Sequence, residues 1–293
     1  MKKLVCVVLL ITSLLFALPA SAKVVGSVLT TDIVAYIDYL PVPAYNIDGY
    51  TAVIVRDLEK YGYTVEWYED TRTVKFYRDF SRPVEGIIPT WEPSDVGTKL
   101  FDVHSTDIRV FFGDKEIEAY NLGGRTAVKL RDINTVSAVE FDAERKIAHL
   151  STYEVELFED EKEYMRDHFA KNMFLISELE YHQQQLYNKI EAGTYKKSDL
   201  TAFSDAQSEI TASFEAFKTY KEPYGFDKSA MEIWWAMVNT NIASECLVKM
   251  ANEGMSAENV KEYITARADS TLQRQRALTQ LYDDMMSLAF MWN

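Results

Sequence analysis

The spacing of apolar residues changes near residue 158 from a strand period to a helical period. Before that point, residues 64–68 and 73–77 alternate apolar and polar around the polar turn 69–72, and residues 139–141 and 146–150 flank a second turn. Alternation of this kind around a short polar turn is typical of a β-hairpin. The first half of the chain is therefore predicted to contain two hairpins.

After residue 158, apolar residues recur at spacings of three, four and seven, which predicts amphipathic helices. Gly193, Pro223 and Gly254 divide this region into four helical segments with short links. Such a pattern favours an antiparallel four-helix bundle. The predicted core positions are Met165, Phe169, Met173, Ile176, Leu179, Leu186, Ile190, Phe203, Ile210, Phe214, Phe217, Trp235, Val238, Ile242, Val260, Ile264, Leu278, Leu281, Met285, Leu288 and Trp292.

Residues 44–57 and 119–132 share the frame A-Y-N-x-x-G-x-T-A-V-x-x-R-D, 75 residues apart and without a gap. A duplication this clear predicts two copies of one small fold, each with a strand, a turn, a short helix and a hairpin. The short helices are expected over 53–61 and 126–133. The motif residues receive a structural interpretation: they are Tyr45, Asn46, Gly49, Thr51, Asp57, Tyr120, Asn121, Gly124, Thr126 and Asp132.

Each type of motif residue has a plain structural use. Glycine accepts unusual turn angles, and asparagine bonds nearby backbone in the same turn. Thr51 and Thr126 are predicted to cap the short helices. Asp57 and Asp132 are predicted to tie those helices to the sheet edge.

The predicted fold class is α+β, with two tandem sheet-plus-helix modules followed by the bundle. Residues 1–22 are predicted to be a signal peptide, because two lysines precede an apolar run and an Ala-Ser-Ala cleavage site. Residues 23–81 and 99–153 would be the modules, 82–98 a proline-containing linker, and 154–293 the helical domain. The apolar run is short for a membrane span, so we expect a secreted or cell-surface protein without a span after cleavage.

The formal net charge of −14 argues against nucleic acid or anionic lipid as a partner. After signal cleavage, Cys246 is the one remaining cysteine, which excludes an internal disulfide. Its helical apolar surroundings predict a small buried residue rather than a reactive thiol.

At the shared motif, the chain resembles the copper amine oxidase N-terminal-like domain, also called the stalk domain. The resemblance covers roughly residues 28–152. The residues that carry it are Pro43, Ala44, Tyr45, Asn46, Gly49, Thr51, Val53, Asp57, Leu58, Gly62, Val65 and Trp67. The second copy departs from it, with Glu118 in place of the proline and Phe141 in place of the tryptophan. The resemblance implies a small β-sheet wrapped around one helix, used as a non-catalytic module of secreted proteins.

Catalytic and metal-binding patterns are weak. The four histidines His104, His149, His168 and His182 are far apart and contain no His-x-His, so no copper site or other cofactor is expected. Gly-x-Ser-x-Gly, phosphate-loop and zinc-helix motifs are missing from the sequence.

Arg267, Thr271 and Arg274 interrupt the apolar stripe of the fourth helix. Two interpretations stay open. Either the helix face is wide and the arginines are solvated, or Arg267 or Arg274 forms a buried polar layer. The layer would need partners, since a buried unpaired charge is costly, and the candidates are Glu178 and Glu245.

The sequence thus predicts a secreted, non-catalytic protein. Its modules would act as a spacer or binding face toward a cell-wall or surface polymer or an extracellular protein, and its helices would form an interaction domain. Aromatic residues are dense in the first repeat, and the favoured interpretation is that they cover the core. In the other interpretation, those exposed on the sheet stack on sugar rings or anchor a partner. The alternative is a secreted enzyme or small-ligand sensor with its site in the bundle. Ligand and oligomeric state stay open.

Overall fold

A computed structural model describes residues 23–91, 93, 95–133, 139–152 and 157–291. The protein has a mixed α+β fold, with strands up to Leu150 and helices from Glu159 onward. The predicted change from strand to helix is therefore confirmed. The predicted signal peptide and Trp292 lie outside the described residues.

The strand region contains two corresponding sets of strands. The first set begins at residues 24, 34, 40, 44 and 50, and the second at 99, 109, 115, 119 and 125, so each pair is 75 residues apart. The strands are β1 Val24–Leu29, β2 Val34–Ile37, β3 Leu40–Val42, β4 Ala44–Ile47, β5 Tyr50–Ile54, β6 Tyr63–Tyr68, β7 Thr73–Arg78, β8 Lys99–His104, β9 Arg109–Phe112, β10 Lys115–Ile117, β11 Ala119–Leu122, β12 Arg125–Lys129, β13 Glu140–Asp142 and β14 Ile147–Leu150.

The two sets of strands are interleaved. A closed barrel has the order β1-β4-β5-β12-β11-β8, so each copy contributes three of its strands. β5 pairs antiparallel with β12, with Val53 opposite Val128, and β1 pairs antiparallel with β8. The pairing differs from the expected arrangement of self-contained modules joined by a linker, because the barrel closes only with both copies present.

Each hairpin also pairs with strands of the other copy. The hairpin β6-β7 of the first copy joins β9 and β10 of the second, through parallel pairing of β7 with β9. The hairpin β13-β14 of the second copy joins β2 and β3 of the first, with Ile147 opposite Val34. Each four-stranded sheet therefore contains strands from both halves of the repeat.

The predicted short helices are shorter than expected and have 3-10 geometry, over Val55–Lys60 and Leu130–Asp132. Thr51 and Thr126 are not helix caps. They lie inside β5 and β12, opposite Asn46 and Asn121 in the ladder. The β-pairing extends past the threonines because the residues that follow them, Ala-Val in both copies, are buried in the barrel region.

The motif asparagines lie at the turns that follow β4 and β11. The Oδ1 of Asn46 accepts from the Gly49 amide at 2.8 Å, and that of Asn121 accepts from the Gly124 amide at 2.7 Å. Both glycines have positive φ, 86° and 88°, a region that non-glycine residues rarely adopt. Asp57 reaches across to the other copy, where its Oδ1 accepts from Arg125 Nη2 at 2.6 Å.

The C-terminal region is helical and shares one hydrophobic core with the two sheets. The helical elements are α1 Glu159–Glu163, a π-helix Tyr164–Ala170, α2 Lys171–Glu191, α3 Lys197–Thr219, α4 Asp227–Glu253 and α5 Ala257–Met291. Helix α2 packs against α3 and α4, α3 packs on α4, and α4 runs along α5. Within the part of the chain that the structure describes, every helix is too short or too polar to cross a bilayer.

The predicted core face of α4 is wrong. Trp235 and Ile242 are 44% and 42% exposed, and α4 instead buries a face that includes Ala236, Ala243 and Ser244. The buried face of α4 combines these small side chains with Ile233, Met237 and Leu247, while Trp235 and Ile242 lie toward solvent. On α5, the predicted core residue Ile264 is likewise exposed.

Candidate ligand-binding groove

The segment predicted to be a linker packs along the helical region. Val84 is buried and bridges to Tyr61, and the Glu85 carbonyl accepts from Gln275 Nε2 at 2.7 Å. Further along, the Pro89 carbonyl accepts from Ser177 Oγ at 2.5 Å. We call residues 84–91 the strap, because hydrogen bonds hold it to α2 and α5.

The strap ends at Trp91, which lies over α2. Its ring centroid is 5.2 Å from that of Tyr181 in an edge-on contact and 5.6 Å from that of His182. Such aromatic contacts favour a defined ring orientation. The side chain is half-buried, so part of the indole remains accessible.

A groove of about 540 Å³ lies between Trp91 and the strands β2 and β3. Its walls combine apolar side chains with the polar residues Thr31, Asp32 and Thr90. Pro41 and Pro43 line one side, Trp91 and Phe174 the other, and Tyr45 of the repeat motif also contributes. Proline supplies no backbone donor, so its presence in the edge strand β3 discourages addition of a further strand.

A second cavity of about 480 Å³ continues the groove toward the π-helix. The two cavities share Val34, Trp91 and Phe174 in their linings, so they adjoin, and we describe them together as one groove. The far end carries several charged side chains, which are Arg145, Arg166, Asp167, Lys171 and Glu178. We call this the charged end of the groove.

Arg166 is the unusual member of the charged end. Its Nε is buried and has no hydrogen-bond partner, and the described residues supply no ion pair to its guanidinium. By contrast, Arg145 contacts Asp142 at 3.0 Å and Asp167 at 3.6 Å. The charged end thus contains one guanidinium that forms no direct ion pair with the described residues, and Glu159 interacts with it only at longer range.

His149 lies on the other side of Arg166, in an adjoining cavity of about 260 Å³. Burial and, to a lesser extent, the nearby charge of Arg166 lower the pKa of His149 to about 4. The Nε2 accepts from the Tyr39 amide at 3.3 Å, which also requires an unprotonated nitrogen. His149 is therefore neutral at physiological pH and adds no positive charge to the groove.

Arg274 is buried in the helical region, but its partner is Glu180 rather than the predicted Glu178 or Glu245. Its Nη2 lies 2.5 Å from Glu180 Oε2, and its Nη1 donates to Ser177 Oγ at 2.9 Å. Arg267 is 3.8 Å from the same carboxylate.

Glu180 was not among the partners predicted from the sequence. Of the two predicted partners, Glu178 lines the groove and Glu245 is exposed. The polar layer is packed inside the helices, and neither arginine lines the groove.

Sequence reasoning missed Trp91, Phe174 and Arg166. Of the motif residues, Tyr45 alone lines the groove. One sequence signal was available for Trp91: a single tryptophan within a proline-containing stretch, which an exposed linker would not require.

Compared with known proteins, the chain matches no family model, no curated protein and no solved structure. Among the described residues, no group of three histidine, cysteine or acidic side chains is arranged to hold a metal ion. The likeness to the stalk domain stays a prediction.

Proposed function

We propose that the protein is a secreted, non-catalytic binding protein of the cell envelope, and that its groove binds an extended envelope polymer. The continuity of the groove carries this proposal, because two cavities joined through Trp91 offer several successive contact positions. We also propose that the strand region is related to stalk domains and that the four long helices are arranged antiparallel.

The chemistry of the walls supports a polymer built of rings. Trp91 and Tyr45 offer aromatic faces, and proline rings keep the opposite wall stiff. Aromatic surfaces combine a large apolar area with polar atoms at the edge, which suits sugar rings. A small-molecule pocket usually encloses most of its ligand, whereas this groove is open along its length.

The helical region contributes by holding the strap. Ser177 on α2 and Gln275 on α5 donate to strap carbonyls, so the position of Trp91 depends on both helices. The buried Glu180 layer fills the space between the helices. This arrangement favours a supporting and interacting role for the helices over an active site inside them.

The proposal is tested by sedimentation of residues 23–293 with purified envelope polymer. Trp91→Ala removes the central aromatic wall and is expected to weaken binding about thirtyfold, since a buried tryptophan anchor is worth about 2 kcal/mol. Trp67→Ala is the matched control. Trp67 is 41% exposed on β6 and does not line the groove, so this variant should bind like the wild type.

Circular dichroism establishes that both variants are folded. Equal binding by the two variants would place the polymer elsewhere on the surface. Failure of the wild-type protein to sediment with any purified envelope polymer would remove the proposal altogether.

A further inference from the structure

We propose that the charged end of the groove is a subsite for an anionic group, a carboxylate or a phosphate, carried by the bound polymer. Arg166 is its anchor, and Lys171 is a second, more exposed cation. This inference rests on the proposed function and adds the chemical class of the ligand to it.

The first argument is the missing partner of Arg166. The Nε of Arg166 is buried without a hydrogen-bond partner, which costs free energy because that N–H loses its hydration. Two neighbouring cations form direct ion pairs: Arg145 contacts Asp142 and Asp167, and Lys162 contacts Glu159 at 2.9 Å. An incoming anion would supply Arg166 with a direct partner.

The second argument is the local backbone. Arg166 and Asp167 belong to the π-helix Tyr164–Ala170, which lies between α1 and α2. π-Helical turns are rare and occur frequently at functional sites. In this segment Met165 and Phe169 are fully buried, while Arg166 lines the groove. The segment therefore anchors itself in the core while it presents a cation to the groove.

The surrounding charges restrict the class of ligand that the site can bind. Asp167 and Glu178 face the same end of the groove, and Glu140, Asp142 and Glu159 line the adjoining cavity. These carboxylates, together with the formal net charge of −14, repel a dense polyanion. The site therefore fits a largely neutral sugar chain that carries widely spaced anionic groups.

The chemistry of the two cations explains why either anion is suitable. A guanidinium presents paired donors that match both carboxylate and phosphate oxygens, and an ammonium adds a flexible point charge. Aromatic contacts at Trp91 would hold the ring backbone while Arg166 engages the charged substituent.

The test compares Arg166→Gln with Arg56→Gln in the sedimentation assay. Both variants lose one positive charge, but Arg56 is exposed and does not line the groove. Arg166→Gln is expected to weaken binding of the native polymer about tenfold, the effect of one hydrogen bond to a charged group. Arg56→Gln should match the wild type, and Arg166→Lys should retain part of the affinity.

Chemically treated polymer identifies the anion. The wild type, Arg166→Gln and Arg56→Gln are compared on polymer with amidated carboxyl groups, on dephosphorylated polymer, and on polymer given both treatments. The defect of Arg166→Gln should vanish on the polymer that has lost the relevant group, and on the doubly treated polymer all three proteins should bind alike.

Two results would overturn the subsite. One is equal binding of native polymer by Arg166→Gln and Arg56→Gln while Trp91→Ala remains defective, which would leave the proposed function standing. The other is a defect of Arg166→Gln that persists on doubly treated polymer. Melting temperatures guard against unfolding: Arg166→Gln should melt no lower than the wild type, because its Nε has no partner to lose.

Discussion

The buried charge cluster of the helical region predicts an asymmetric response to mutation. Glu180 and Arg274 are 8% and 3% exposed, and the carboxylate also lies 3.8 Å from Arg267. One carboxylate thus compensates two guanidinium groups. Glu180→Gln leaves both arginines without an anion, whereas Arg274→Met leaves Glu180 with Arg267.

The expected magnitudes follow from this count of charges. Removing one partner of a buried pair costs about 3–5 kcal/mol, because the other charge stays buried. Glu180→Gln should fall in that range, since burial already lowers the pKa of Arg274 and the adjacent Arg267 opposes its charge. Arg274→Met should cost less, about 1–3 kcal/mol, because the carboxylate keeps a cation nearby.

The double variant supplies the decisive measurement. Glu180→Gln with Arg274→Met removes both charges, so its loss of unfolding free energy should be smaller than the sum of the single losses. Urea denaturation of residues 23–293, followed by circular dichroism at 222 nm, measures all four proteins. Additive losses would refute the reasoning, as would a Glu180→Gln variant as stable as the wild type.

The remaining predictions concern pH and the repeat turns. Burial raises the pKa of Asp38 from 3.8 to about 6, so its contribution to folding is full below pH 3.8 and is lost as the pH rises through 6. His149 acts in the opposite sense: with a pKa lowered from 6.5 to about 4, its contribution is full above pH 6.5 and is lost as the pH falls through 4. Each effect is of order 3 kcal/mol. In urea denaturation from pH 4 to 7, His149→Gln should gain stability relative to the wild type toward pH 4, whereas Asp38→Asn should lose stability relative to the wild type. Parallel pH profiles of variant and wild type would contradict both assignments. Asn46→Ala and Asn121→Ala should each lower the free energy of unfolding by about 1 kcal/mol, as measured in thermal melts. Replacement by Asp, which keeps the hydrogen-bond acceptor, should be tolerated. An equal loss with Asp would show that the asparagine amide acts in another way.

Local features of the fold were predictable from the sequence, and long-range pairing was not. The hairpin β6-β7 follows from alternation around a four-residue turn, and the helices follow from their apolar period. Nothing in that alternation states whether β7 pairs within its own copy or with β9 of the other, because both pairings bury the same face of the strand. The repeat therefore predicted the units and could not predict their exchange.

The groove was harder to predict because its members are distant in sequence and ordinary in type. Trp91 gains its position from a carbonyl two residues earlier that bonds to α2, and α2 itself starts 80 residues later. Glu180 was overlooked for a related reason: its burial depends on Arg274, which lies on another helix. Side chains that satisfy one another across the fold leave no periodic signal.

The two copies share their turns but differ at the prolines of the groove. The turn residues Asn46 and Gly49 recur in the second copy as Asn121 and Gly124, with nearly identical hydrogen bonds. Several groove residues recur too, such as Tyr45 as Tyr120, but the prolines do not. Pro41 is buried and lines the groove, whereas its counterpart Glu116 is exposed and accepts from Arg109 at 2.7 Å.

Pro43 has a similarly different counterpart. Glu118 is exposed and contacts Lys129 at 2.8 Å, whereas Pro43 is half-buried beside the groove. Two copies of one backbone thus present a charged, solvated surface in one case and an apolar wall in the other. Since the scaffold needs neither proline in its second copy, stability of the strands does not explain the apolar wall of the first copy. Under the proposed function, the two prolines form the wall against which a ligand in the groove would pack.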